Sequence, residues 1–179
     1  GLDGKLKKIR WKRFTSGLHE PMTVAIREGE IFAFDRNGIW KILDTDGNGE
    51  ADRHELFSNA FGQTADMREF PNGIRLAPNG EFIIAKGGQQ ATTLGKHNGS
   101  VLRISADGRH ATVLGYGLRQ PNIGVNIRTG LITSSDQQGQ YIPSTPLHII
   151  RDRQFYGYLS EGLHERENYP EPIGEPLTW

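Results

Sequence analysis

The sequence contains no cysteine, which excludes disulfide bonds, a thiol nucleophile and a thiolate metal site. It has no excess charge, with 21 basic and 21 acidic residues, so it offers no electrostatic footprint for nucleic acid. The one basic cluster, residues 5–13, is interpreted as a solvated edge strand. No run approaches the roughly 20 apolar residues of a membrane span. Long apolar stripes at helical spacing are also missing, so no helix is predicted.

Glycine and turn-forming pairs, in contrast, are abundant. The sequence has 23 glycines, many of them in Asn-Gly or Asp-Gly pairs at 37–38, 48–49, 72–73, 79–80, 98–99 and 107–108. Short β-like runs lie between these pairs. Many short strands separated by regular turns are typical of an all-β domain.

An internal repeat organises these runs. Pro21, Pro71 and Pro121 follow one another at intervals of 50 residues, and the segment 17–21 resembles the segment 117–121. After each proline come a β-like run, a turn and a second run, at 23–26 and 30–35, 73–76 and 81–86, and 123–126 and 130–134. Further strand-like segments follow at 38–43, 100–104 and 147–150. A period of about 40–50 residues with several strands per unit is the pattern of β-propeller blades.

The repeat predicts one partial β-propeller domain over residues 1–179. Its blades lie near 17–66, 67–116 and 117–166, and a further blade begins at 167–179. Three to four blades of a larger ring leave bare blade faces, so we expect the natural chain to continue or another chain to supply the remaining blades. A closed four-bladed propeller is the alternative.

The repeat also predicts a site. The loops before the repeated prolines connect the outer strand of one blade to the inner strand of the next, and such loops cluster near the central channel. By spacing, His19, Glu69 and Arg119 are equivalent and are predicted to line that mouth. Together they suit a polar or anionic ligand. The alternative is that they pair with one another structurally.

A second candidate site is the acidic segment 44–55, DTDGNGEADRHE, which matches the twelve-residue calcium loop. The predicted ligands are the side chains of Asp44, Asp46 and Asn48, the backbone carbonyl of Glu50, and the side chains of Asp52 and Glu55. The flanking residues favour strands, and a strand at the exit would turn Glu55 away and leave Asp52 as the last ligand. An ion-free turn is the alternative, since Asp, Asn and Gly favour turns.

Four segments occur in a distinctive order: NGIRLAPNG at 72–80, GSVLRI at 99–104, GLRQPN at 117–122 and FYGY at 155–158. In this order they resemble the glucose/sorbosone dehydrogenase propellers, and most closely the bacterial membrane-associated dehydrogenase-like proteins among them. The resemblance covers most of residues 17–179. It implies six blades, pyrroloquinoline quinone with calcium, a haem-bearing cytochrome-type domain that is fused or a partner, and a periplasmic or extracellular location.

Carried onto this chain, the resemblance implies that Arg119 contacts the quinone, with Gln120 standing where the family has asparagine. Asp136 and Gln137, within the segment 135–139, are implied cofactor neighbours. The position of the family's catalytic histidine falls on Pro71, which cannot accept a proton.

His19 and Glu69 are therefore the acid–base candidates, and Arg119 would hold an anionic cofactor or substrate through its permanently charged fork. His148, among apolar neighbours, is interpreted as structural.

The predicted function is oxidation of a sugar or polyol hydroxyl, with the quinone or a partner haem as electron acceptor. The alternative is a non-catalytic, calcium-stabilised propeller that binds carbohydrate or scaffolds a redox or protein complex, and Pro71 favours it. A hydrolase or lyase acting on modified sugars is a third option.

Overall fold

A computed structural model describes residues 9–62, 68–89, 97–137 and 144–158. These ranges form β-strands and turns without a helix, and they contain no helical segment that could cross a membrane. The predicted further blade at 167–179 and the end of the segment 135–139 lie outside the described residues. The strands are β1 (Thr23–Arg27), β2 (Glu30–Asp35), β3 (Gly38–Leu43), β4 (Arg53–Ser58), β5 (Gly73–Leu76), β6 (Phe82–Lys86), β7 (Ser100–Ile104), β8 (Ala111–Tyr116), β9 (Asn122–Val125), β10 (Ile132–Ser135), β11 (Leu147–Ile149) and β12 (Gln154–Phe155).

The strands form three sheets in which consecutive strands pair antiparallel. Sheet one has the order β1-β2-β3-β4, sheet two contains β5-β6-β7-β8, and sheet three is β9-β10-β11. The short β12 extends sheet two by pairing in parallel with β8. The strand pairs predicted after each repeated proline are therefore the first two strands of each sheet, and the all-β prediction is confirmed.

The three sheets meet along their first strands. β1 lies against β5, and β5 lies against β9. Each of these strands begins one or two residues after a proline of the 50-residue repeat. Sheets that share their inner edges and fan outward are the arrangement of blades around a propeller axis.

Strand β6 shows why the sequence folds in this way. All five of its residues are buried, and alternate side chains of a strand point to opposite faces. Phe82 and Ile84 join the apolar cluster shared with sheet one, while Ile83 and Ala85 join the cluster shared with sheet three. A strand covered on both faces reads as a continuous apolar run instead of an alternating one.

Arg27 closes the edge of the first cluster. Its guanidinium lies 4.9–5.0 Å from the ring centroids of Phe32, Phe57 and Phe82. Its Nη1 donates to the carbonyl oxygens of Gly80 at 3.0 Å and Ala106 at 3.1 Å. One side chain thus fastens the β1–β2 turn of sheet one onto two turns of sheet two.

Sheets one and three each expose apolar side chains. Val24 and Ile26 of β1 and Met22, the residue before it, alternate along the chain and are 62%, 63% and 56% exposed. On β11, Leu147 and Ile149 are 75% and 52% exposed. Sheet two, which has a neighbour on both sides, has both faces of β6 covered.

Candidate functional site

The loops that precede β5 and β9 are fastened together at one end of the sheets. Gln120 Nε2 donates to Arg68 O at 2.6 Å, and Asn72 Nδ2 donates to Gln120 Oε1 at 2.9 Å. Gly88 N, in the segment after β6, donates to Arg119 O at 2.8 Å. The two loops that the repeat predicted at the mouth are therefore neighbours, and Gln120 bridges them.

An open depression of about 440 Å³ lies at this junction, and we call it the mouth depression. It is lined by Arg68, Phe70, Gln89, Gln120 and Gln137. The aromatic ring forms an apolar wall, and the guanidinium and the three amides offer hydrogen-bonding groups beside it. Such a lining suits a ligand with a flat or apolar body and polar or anionic substituents.

Arg119 stands at the rim of the mouth depression. With the Gln89 amide oriented as its neighbours require, Gln89 Oε1 accepts from Arg119 Nη2 at 2.8 Å and from Arg68 Nη1 at 3.0 Å. The Arg119 guanidinium also lies 5.9 Å from the ring centroid of Tyr158, and the Tyr158 hydroxyl donates to Gln89 O at 3.2 Å. The Arg119 guanidinium is thus close to both the Gln89 amide and the Tyr158 ring.

Asp136 holds the backbone of this loop. Its Oδ2 accepts from Arg119 N at 2.8 Å, and its Oδ1 accepts from Gln120 N at 2.6 Å and Gln137 N at 2.8 Å. The residue is only 6% exposed. Burial raises the pKa of Asp136, and the three N–H donors offset part of that rise. Asp136 positions the loop through its carboxylate, while its role as a cofactor neighbour stays a prediction.

The same device recurs in sheet one. Asp35, the last residue of β2, accepts from His19 N at 2.9 Å through Oδ2. Its Oδ1 accepts from Asn37 N, Gly38 N and Trp40 Nε1. The His19 ring itself is exposed, lies 3.5 Å from Asn37 Oδ1, and is not among the residues that line the mouth depression.

Glu69, the third predicted mouth residue, is turned inward. It is fully buried, and its Oε1 accepts from Asn98 Nδ2 at 2.8 Å. Lys86 is also fully buried and donates to Phe61 O at 3.1 Å and Gly62 O at 3.3 Å. Burial lowers the pKa of Lys86 to about 7, with the charge of Glu69 acting in the opposite direction. Glu69 thus belongs to a buried polar cluster, and its acid–base role stays a prediction.

His148 lies behind the rim. It is 5% exposed, and its ring centroid is 4.7 Å from that of Tyr156. Burial lowers the pKa of His148, and the charge of Asp136 acts against this. A buried imidazole that packs at a tilt of 53° against an aromatic ring agrees with a structural role.

The acidic loop, residues 44–52, connects β3 to β4. Oxygens of Asp44, Asp46 and Asp52 lie within 4.8 Å of one another. Asn48 N donates to Asp44 Oδ1 and to Asp46 Oδ1, both at 3.1 Å, and Gly49 N donates to Asp44 Oδ2 at 2.8 Å. Desolvation acts to raise the pKa of Asp44, but the Gly49 N–H and the other loop hydrogen bonds outweigh it and the pKa lies below its usual value. The three carboxylates match the hard oxygen donors that calcium prefers.

The other predicted calcium ligands are placed differently. Glu55 lies in β4, exposed and ion-paired with Arg53 at 2.7 Å, so the structure does not bring it to the acidic loop. Asn48 Oδ1 accepts from Glu50 N at 2.8 Å, and the Glu50 carboxylate lies 3.8 Å from Arg13 Nη2. The exit from the loop is a strand, and Asp52 is the last carboxylate of the cluster.

Three consecutive antiparallel sheets joined along their first strands, with a depression at the loops between them, define a partial β-propeller. The chain belongs to the family described as "Domain of unknown function (DUF7133)", whose model matches residues 2–156. No curated protein matches the sequence.

The chain is similar to several solved structures, which include the following two. One is a glucose dehydrogenase, with 14% identity and a TM-score of 0.63 over 89% of this chain and 57% of that one. The other is the holo pyranose dehydrogenase PQQ domain from Coprinopsis cinerea, with 15% identity and a TM-score of 0.38 over 82% of this chain and 55% of that one. The first likeness shows a shared fold, and this chain spans only a little over half the length of that dehydrogenase.

Sequence reasoning missed several residues at the mouth. Arg68 and Phe70 lie within three residues before the repeated Pro71. Gln89 lies three residues after β6, and Gln137 lies two residues after β10. The positions of Arg68, Phe70 and Gln89 within the repeat were the signal that could have predicted their place at the mouth. Tyr158 lies in a segment that carried the family resemblance, but nothing in that segment indicated its contact with the rim.

Proposed function

We propose that this protein is a dehydrogenase-type propeller that oxidises a hydroxyl group of a sugar or polyol, with pyrroloquinoline quinone bound at the mouth depression. The observation that supports this most directly is the placement of Arg119. Its backbone is fixed by Asp136 and its guanidinium is presented at the rim over Tyr158. A forked, permanent cation beside an aromatic wall suits a planar, multiply carboxylated cofactor.

The residues at the mouth fit such a group. Arg119 would hold a carboxylate from the rim. Of the lining residues, Gln120 and Gln137 would contact ring or carbonyl oxygens through their amides, and Phe70 would form the apolar wall. When bound, the quinone supplies the two-electron acceptor for the hydrogen that leaves the alcohol carbon. The chain's own residues bind and orient that carbon, and a base must take the hydroxyl proton.

The identity of the base separates this function from a second candidate. None of the five residues that line the mouth depression accepts a proton near neutral pH. By the resemblance to the sugar dehydrogenases, Pro71 stands at the position of their catalytic histidine, and it is buried. This observation favours the alternative of a non-catalytic propeller that binds carbohydrate or scaffolds a redox complex. In the dehydrogenase, His19 or a residue of the remaining blades would be the base.

An absorbance titration of the full-length protein with pyrroloquinoline quinone, with and without calcium, tests the proposal. Saturable binding that Arg119→Ala abolishes and Arg128→Ala leaves unchanged would support a quinone enzyme. Arg128 is an exposed arginine on the turn between β9 and β10 and serves as the matched control. Reduction of an artificial dye with sugars and polyols would then identify the substrate. Absence of quinone binding in both conditions would refute the proposed dehydrogenase and favour the non-catalytic propeller.

We also propose that the acidic loop binds calcium in a structural role. The cluster of Asp44, Asp46 and Asp52 supports this, since a divalent cation would offset two of the three negative charges and fix the connection from β3 to β4. Titration calorimetry should show calcium binding that Asp46→Asn weakens at least tenfold, because the substitution removes one charged ligand. Equal binding to the variant and the native protein would refute the site.

The remaining partners are proposals of the same kind. The exposed apolar faces on β1 and β11 support further blades that cover them. A haem-bearing cytochrome-type domain, as partner or fused unit, would take up electrons. The resemblance to the sugar dehydrogenases is what supports a periplasmic or extracellular location. The mass of the native protein would test whether another chain supplies the further blades. Its visible absorption spectrum would test for haem.

A further inference from the structure

The most informative feature that the proposed function does not use is the meeting of two arginines on one amide oxygen. Arg119 Nη2 and Arg68 Nη1 both donate to Gln89 Oε1, at 2.8 Å and 3.0 Å. We call these three residues the anion clamp. Two guanidinium nitrogens within roughly 6 Å of each other repel through their like charges. The Gln89 amide oxygen accepts a hydrogen bond from each of them and carries no net charge, whereas a carboxylate oxygen in its place would also bring a negative charge.

We propose that the anion clamp is a carboxylate-binding site in which the Gln89 side chain occupies the ligand's place until a carboxylate displaces it. An amide oxygen accepts two hydrogen bonds much as a carboxylate oxygen does. A carboxylate in the same position makes charge-assisted bonds that are roughly twice as strong. The exchange therefore favours the anion whenever its carboxylate reaches both guanidinium groups.

The surroundings of the clamp support this exchange. Arg68 is exposed and Gln89 is half-buried, and both line the mouth depression, so a ligand reaches the clamp from solvent. Gln89 is held at its backbone by the Tyr158 hydroxyl, which leaves its side chain able to turn while the main chain stays in place. The displaced amide has room within the depression of about 440 Å³.

The rest of the lining indicates what the carboxylate is attached to. Phe70 offers a flat apolar wall that is backed by the Arg36 guanidinium at 5.2 Å, and Gln120 and Gln137 offer amide donors and acceptors. A carboxylate on a ring that also bears hydroxyl or carbonyl groups matches this set. An acidic carbohydrate and the quinone cofactor share that chemistry, and the inference deepens the proposed function by naming the ligand class of the same mouth.

The test measures binding of D-glucuronate, D-glucose and pyrroloquinoline quinone to the full-length protein by titration calorimetry. The variants are Arg68→Gln, Gln89→Glu and, as the control, Arg128→Gln. Arg68→Gln should weaken binding of the carboxylated ligand at least tenfold and leave glucose binding unchanged. Gln89→Glu should abolish carboxylate binding and raise the melting temperature, because its own carboxylate fills the clamp. Arg128→Gln should behave like the native protein.

The outcomes separate the two ligand sources and the two proposals. Glucuronate binding that depends on Arg68 and Gln89, without quinone binding, supports the clamp and rejects the quinone enzyme. Quinone binding that depends on both residues, without glucuronate binding, supports the clamp and assigns the carboxylate to the cofactor. The clamp is refuted if neither ligand loses more than twofold in affinity in Arg68→Gln and Gln89→Glu. It is also refuted if glucuronate and glucose respond alike.

Discussion

Replacement of Asp136 by asparagine tests whether a single carboxylate positions the mouth. The side chain accepts three backbone N–H bonds of 2.6–2.8 Å from residues 119, 120 and 137. Asparagine keeps one acceptor oxygen and turns an NH₂ group toward the remaining donor. An orphaned buried N–H costs about 1–3 kcal/mol, and the bonds that remain lose their charge assistance. Relief of the buried negative charge, which burial disfavours, offsets part of this loss.

We therefore expect Asp136→Asn to lower the free energy of unfolding by roughly 1–3 kcal/mol in urea denaturation. The Arg119 backbone should shift with its lost bond, so carboxylate or quinone affinity should fall at least tenfold in the same variant. Asp152→Asn, an exposed carboxylate on the turn before β12, is the control and should change neither quantity. A variant that keeps both native stability and native affinity would show that Asp136 does not position the loop.

Three further perturbations address the framework. Because burial lowers the pKa of Lys86 from 10.5 to about 7, the unfolded chain binds more protons between those values, so stability should rise with pH across this window. The rise in the free energy of unfolding should be on the order of a few kcal/mol in urea denaturation, and Lys86→Met should abolish it. Equal pH dependence in the variant and the native protein would contradict the burial argument. Gly99→Ala should destabilise strongly because its Cβ would lie 2.4 Å from Leu118 O at a φ of 65°. Gly80→Ala, with a φ of 83° and open space, should cost only about 1–2 kcal/mol, and equal losses in the two variants would refute the clash. Arg27→Ala should lower the unfolding midpoint by removing its three ring contacts and two hydrogen bonds, and an unchanged midpoint would count against their contribution.

The sequence predicted the strands well because the signals that set them are local. Turn pairs such as Asn79-Gly80 fix where a strand stops, and the recurrence of proline every 50 residues fixes where the next sheet begins. The continuous apolar run of β6 followed from burial on both faces. These features depend on neighbouring residues and on the repeat, and both can be recognised in the sequence alone.

The mouth was harder to predict because equal spacing does not create equal surroundings. His19 precedes sheet one, which has one described neighbour, and remains exposed. Glu69 precedes sheet two, which is covered on both sides, and is fully buried against Asn98. The meeting of Arg68 with Arg119 depends on how two sheets dock. That information lies in the packing of distant segments.

Asp35 and Asp136 show how a structural role can resemble a functional one. Asp35 ends the second strand of sheet one, and Asp136 directly follows the second strand of sheet three. Both accept the N–H of the residue that lies two positions before the repeated proline. Family resemblance implied that Asp136 is a cofactor neighbour, yet Asp35 makes the equivalent bond in a blade whose loop does not line the depression. The recurrence indicates that the carboxylate holds the loop backbone, and any effect of Asp136 on a bound ligand would pass through Arg119.

Ligand binding and proton transfer are therefore expected to come from different parts of the ring. The described mouth supplies cations, amides and an aromatic wall, whereas its lining residues supply no base. If the protein is a dehydrogenase whose base lies on another blade, substitutions here act on binding. Arg68→Gln, in contact with ligand but away from the proton, should then raise KM for an acidic substrate with little change in kcat. A loss confined to kcat would place the chemistry at Arg68 itself and contradict the division of roles.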